Sequence, residues 1–148
     1  MKSGTYPGRR RHARLLCGLA TLGLAVLAAG GATAQEEQSV ALVRQDFSDC
    51  TNSTVKAGAA PPGTIWLVRN SDNTTAVKIA MTVVPDTIYH FFLKCVRQLG
   101  DIKTDDEGIG VAVFSFPTNS VGNVYAFDMY PEGAPAGNKF QSVTVKFP

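Results

Sequence analysis

This chain is poor in the residues that most often carry chemistry. Its 148 residues hold two histidines, three cysteines and one tryptophan. His12 and Cys17 fall within the first 34 residues, which read as an export signal, so His90 is the only histidine of the domain that would follow. A single histidine excludes a blue-copper centre, which takes two together with a cysteine, and excludes copper–zinc sites built on several. A Ser-His-Asp triad would need His90 as its base, but alternation with Ile88 and Phe92 reads it as a half-exposed strand residue. No C-x-x-C pair is present, which argues against a dithiol redox centre. Beyond residue 34 there is no cluster of basic residues to neutralise phosphates, so nucleic acid is not an expected partner. Nor does any later stretch keep an i, i+3, i+4, i+7 apolar pattern over three turns, so helices are not expected.

What the chain does have begins at its start. Arg9-Arg10-Arg11 and Arg14 form a basic flank, Leu15 to Ala29 an apolar stretch, and Ala32-Thr33-Ala34 a small-x-small cleavage pattern before Gln35-Glu36-Glu37. The apolar stretch has 15 residues, and a membrane-spanning helix needs roughly 20. The expectation is a cleaved signal over residues 1–34 and a secreted domain over residues 35–148, extracellular or at the cell envelope, with no stable membrane insertion after cleavage. The whole chain has a formal charge of +2. Five of its 14 basic residues lie in the signal and all 12 acidic ones lie after it, so the exported part carries nine against twelve, a net −3. Cys50 and Cys95 remain in an oxidising compartment, where a disulfide is the default pairing. The alternative is two buried thiols behaving as small apolar residues.

Period-2 alternation then recurs along most of residues 35–148. In Thr75 to Val83, Val77, Ile79, Met81 and Val83 share one face. In Ile88 to Cys95, Tyr89, Phe91, Leu93 and Cys95 oppose Ile88, His90, Phe92 and Lys94. Further faces are Ala112, Phe114 and Phe116; Tyr125, Phe127 and Met129; and Val143, Val145 and Phe147. Weaker runs are Val40 to Phe47, Thr64 to Arg69 and Leu99 to Lys103. Turn residues separate them at Asn70-Ser71-Asp72-Asn73, Pro85-Asp86, Asp105-Asp106-Glu107-Gly108 and Pro117-Thr118-Asn119-Ser120. Seven or eight short antiparallel strands at this spacing predict an all-β fold, a single antiparallel β-sandwich, with a small barrel as the other solution.

The order Cys50, Trp66, Cys95 resembles the Cys…Trp…Cys signature of immunoglobulin domains. Val84-Pro85-Asp86-Thr87-Ile88-Tyr89 and Thr104-Asp105-Asp106-Glu107-Gly108 are similar to turn segments of secreted bacterial immunoglobulin-like modules. The resemblance covers about half of the exported part. It implies an immunoglobulin-like sandwich with a disulfide joining its sheets beside a buried tryptophan. It departs at position 93, where leucine stands in place of the corner tyrosine, and at Cys50, whose polar run Ser48-Asp49-Cys50-Thr51-Asn52 suits a loop. Export, size and strand pattern also resemble the apoproteins that carry enediyne chromophores. Those usually have two disulfides, and no site residues carry over from them.

Function is read mostly by elimination, since a fold expectation does not by itself identify an activity. The expectation is a secreted, non-enzymatic binding module without a cofactor, whose loops contact a protein or an envelope component. The alternatives are a small-molecule carrier with an apolar cleft, which should show a ligand-sized cavity between sheets, and a protease inhibitor. The candidate binding segment is the irregular loop Pro131–Asn138 with Tyr130 at its base, and the named residues are Tyr130, Pro131, Glu132 and Asn138. Its glycines permit unusual backbone angles and its prolines restrict the entropy lost on binding. Trp66 is expected in the core. The acidic run Asp105, Asp106, Glu107 reads as a solvated turn; its functional alternative is calcium, with Asp101 and Asp128 as the further partners. The sequons Asn52-Ser53-Thr54 and Asn73-Thr74-Thr75 read as polar turns of a bacterial protein.

Overall fold

The computed structural model describes residues 37–45, 50, 55, 57, 58 and 60–147. The signal and its cleavage site, Phe47 and the sequon at Asn52 lie outside the described residues. The described chain is all-β. Its strands are β1 (Glu37–Arg44), β2 (Gly63–Arg69), β3 (Thr74–Thr82), β4 (Ile88–Leu93), β5 (Arg97–Lys103), β6 (Ile109–Pro117), β7 (Val124–Tyr125), β8 (Phe127–Pro131), β9 (Phe140–Ser142) and β10 (Val145–Lys146). A single 3-10 turn covers Thr118–Ser120.

Hydrogen bonding joins eight strands into one antiparallel sheet of order β5-β4-β8-β9-β1-β2-β3-β6. The two end strands, β5 and β6, are neighbours in sequence, so the sheet curls until its edges nearly meet. At the turn the contact is backbone: Asp105 N donates to Ile109 O and Gly108 N to Asp105 O, both at 3.0 Å. Gly108 takes φ +82° there, a conformation open chiefly to glycine. Farther along, a side chain fills the seam. The Phe114 ring lies against Gly100, where a Cβ would strike it. A small ribbon of β7 and β10 lies beside the main sheet. Its Tyr125 meets Phe116 edge-on at 5.9 Å and stacks with Phe147 at 6.4 Å.

The alternation read from Thr75 to Val83 holds: Val77, Ile79 and Met81 are buried, while Lys78 and Thr82 are exposed. Across the core, Phe91 stacks on Phe127 at 5.3 Å and on Phe114 at 5.5 Å, which packs β4 and β8 against β6. Two expectations about faces are corrected. Trp66 is half-buried on the outer face of β2, because Ile65 and Leu67 on either side of it take the core. Its ring lies 5.7 Å from Lys78 Nζ. Cys95 does not continue the inward row of Tyr89, Phe91 and Leu93. The strand ends at Leu93, Val96 N donates to Leu93 O, and Cys95 sits exposed in the turn at φ +57°. Cys50 and Cys95 are joined, with Cα atoms 5.6 Å apart, and both are exposed. The bond therefore ties Cys50 to the β4–β5 turn.

Candidate functional site

Because side chains alternate along a strand, burying Tyr89, Phe91 and Leu93 leaves His90 and Phe92 on the outer face of β4. On β8, Phe127 and Met129 are buried, which leaves Asp128 and Tyr130 outward. The two strands pair with His90 opposite Tyr130 and Phe92 opposite Asp128. The diagonal neighbours Phe92 and Tyr130 stack, with centroids 4.8 Å apart and planes 19° apart. Both rings are only half-buried. The two stacked rings floor an open cleft of about 450 Å³. Its walls come from Leu93 at the end of β4, from Cys95 and Val96 of the turn that follows, from Ala134 of the loop after β8, and from Phe140; Val96 is half-exposed.

The polar residues of the cleft are Gln45, Arg97, Gln98, Asp128 and Lys139. Beside them lies a buried network. The Lys94 side chain is 1% exposed, its Nζ donates to Gln141 Oε1 at 2.6 Å, and it lies 4.0 Å from Asp128 Oδ1. Gln45 Nε2 donates to the same Gln141 oxygen at 2.7 Å. Burial, followed by the negative charge of Asp128, raises the Tyr130 hydroxyl above its ordinary pKa. The phenol is therefore neutral at physiological pH and can donate a hydrogen bond.

His90 has company of its own. Its Nδ1 lies 2.7 Å from Asp101 Oδ1, and its Nε2 lies 3.4 Å from Glu132 Oε2. A carboxylate only accepts, so Nδ1–H is the donor to Asp101. Gln98 Nε2 donates to the same Asp101 oxygen at 2.6 Å. The hydrogen bond to Asp101 is the largest cause of a raised His90 pKa, and the Asp101 and Glu132 charges add to it against a lowering by desolvation.

The four loop residues named from sequence do not share one surface. Tyr130 floors the cleft and Glu132 reaches His90. Pro131 is buried at the end of β8, and Asn138 Oδ1 accepts the buried Tyr89 hydroxyl at 2.6 Å. The loop is two successive turns, closed by Ala134 N to Pro131 O and Asn138 N to Pro135 O. In the acidic turn, Asp105 Oδ1 accepts the Glu107 and Ile109 amides at 3.0 and 2.7 Å. Asp101 faces His90 and Asp128 faces Lys94, so neither is drawn to that turn. Among the described residues, no three His, Cys, Asp or Glu side chains are grouped to hold a metal ion, and no helix is long and apolar enough to cross a membrane.

Sequence reasoning missed Phe92, Arg97, Lys139 and the Lys94–Gln141 contact. A signal for Phe92 was present: a large aromatic on the strand face opposite Tyr89, Phe91 and Leu93. No protein-family model matches the chain, and no curated protein matches it.

Proposed function

We propose that this chain is an exported, non-catalytic domain that binds a small aromatic ligand in the cleft over Phe92 and Tyr130. One observation carries the reading: two half-exposed, stacked rings floor an open cleft of about 450 Å³, within the roughly 300–1,000 Å³ typical of small-molecule sites. The carrier reading asked for a cavity between sheets. The core there is filled by Phe91, Phe114 and Phe127, and the cleft on the outer face offers the aromatic lining instead. A flat macromolecular contact would not need such a recess, so the cleft favours a carrier over a docking module. In this reading His90 has a structural role, tying β5 to the loop after β8 through Asp101 and Glu132.

Export is part of the proposal and rests on the basic flank, the 15-residue apolar stretch and the cleavage pattern, together with a disulfide suited to an oxidising compartment. The folding of β4 and β8 over β6 across one core supports sandwich-like layering. The test is titration with N-phenyl-1-naphthylamine, an uncharged aromatic fluorophore, on protein recovered from culture supernatant. Wild type should bind it, and F92A and Y130A should each weaken binding by about tenfold, in keeping with about 1–1.5 kcal/mol for a lost aromatic contact. No binding to wild type, or undiminished binding to both variants, rejects the site. Intact mass of the same material should correspond to a chain starting at Gln35, and a full-length precursor held in membranes rejects export.

A further inference from the structure

Resting on that reading of the cleft, we infer that its ligand is a planar aromatic anion, held by stacking on Phe92 and Tyr130 and by the cations Arg97 and Lys139. The charges around the cleft decide the sign. Among the described residues that line it, Arg97 and Lys139 are cationic and Asp128 is the one carboxylate, and the buried Lys94 lies beside it. Asp128 is answered by Lys94, whose side chain is buried and 4.0 Å away. That leaves Arg97 at the start of β5 and Lys139 just before β9, neither of which has an ion-pair partner among the described residues. Among the described residues, the acids Asp101 on β5 and Glu132 of the loop after β8 face His90 instead.

This cationic cleft lies on a domain that is net negative, with nine basic residues against twelve acidic ones beyond residue 34. A random draw from that surface would more often be acidic. The two attractions act on different parts of one molecule. Stacked rings accept a flat π-system, and a guanidinium and an ammonium at the rim accept a carboxylate, sulfonate or phenolate. An uncharged apolar ligand would use the floor and leave both cations unanswered.

The experiment compares two probes that share an aromatic skeleton. One is 8-anilinonaphthalene-1-sulfonate, and the other is its uncharged counterpart N-phenyl-1-naphthylamine. Without help from cations the sulfonate should bind more weakly, because it has to shed water. The structure calls for the reverse: at low salt the sulfonate binds about fivefold more tightly, as two partly exposed ion pairs allow. That preference should shrink as salt rises and fall to about one or below in R97Q/K139Q. Equal affinities in wild type, or a preference that survives in R97Q/K139Q, overturn this inference and leave the cleft as a site for neutral ligands. Failure of both probes to bind wild type overturns the site itself, and the inference with it.

Discussion

At the scale of single residues, two side chains tie the loop after β8 to the sheet. His90 lies between Asp101 on β5 and Glu132 of the loop, and its pKa is raised from the ordinary 6.5 chiefly by the hydrogen bond to Asp101. A raised folded-state pKa means that the protonated ring stabilises the fold. That contribution is fully present below pH 6.5 and is lost as pH rises through the folded value. An NMR titration of the His90 ring should give a midpoint above 6.5, and D101N should bring it back down. A wild-type midpoint at or below 6.5 contradicts the pairing. Asn138 holds the other tie. Tyr89 is fully buried, and its hydroxyl accepts from Val84 N at 3.3 Å while donating to Asn138 Oδ1 at 2.6 Å. N138A strands that hydroxyl without an acceptor and should cost about 1–3 kcal/mol in urea unfolding. In a Y89F background the same change should cost much less.

At the scale of elements, the seam between β5 and β6 is closed by a ring, where a complete barrel would use a ladder of hydrogen bonds. Gly100 is part of that closure, since a Cβ there would overlap Phe114, and Phe114 is held in place by its stack on Phe91. G100A should therefore destabilise by about 1–3 kcal/mol, the usual cost of overpacking. The cost should largely vanish in an F114L background, where the ring no longer fills the gap. Equal costs in the two backgrounds, measured by denaturant unfolding, would show that Gly100 matters for its backbone alone. The β2–β3 turn shows the opposite economy, with every part local. Asn73 adopts φ +66°, and Asp72 Oδ1 accepts both the amide and the hydroxyl of Thr74, which lowers the Asp72 pKa. The stretch Asn70–Asn73 was readable as a turn for this reason.

At the scale of the molecule, the Cys50–Cys95 bond spans 45 residues of sequence, yet it sits on the surface at the wall of the cleft. Its contribution comes mainly from restricting the unfolded chain, on the order of 4 kcal/mol as an upper figure for a loop of this length. Peptide mapping without reduction should recover the crosslinked pair. C50S/C95S should lower unfolding stability by about 2–4 kcal/mol, and unchanged stability would contradict that estimate. Because Cys95 lines the cleft, the same variant should also weaken N-phenyl-1-naphthylamine binding more than a destabilising change at a residue outside the lining, such as G100A, does.

The sequence by itself determined whatever depends on near neighbours. The alternation of Val77, Ile79 and Met81 with Lys78 and Thr82 named the core face of β3, because a pleated strand sends successive side chains to opposite sides. Asp105 and Gly108 marked a turn because one carboxylate can accept amides two and four residues on, and glycine can take a positive φ. With Cys17 read as part of an export signal, the count of cysteines left one pairing to expect. Tertiary structure decided the rest. Period-2 alternation divides Trp66 from Ile65 and Leu67, but only the curl of the sheet shows that the tryptophan's side meets water. Phe92 and Tyr130 become a stacked floor because β4 pairs with β8, strands with three others between them in the chain. Arg97 and Lys139 reach the same cleft from β5 and from the approach to β9. Local pattern assigns a face to each residue, and the order of strands in the sheet chooses which faces meet.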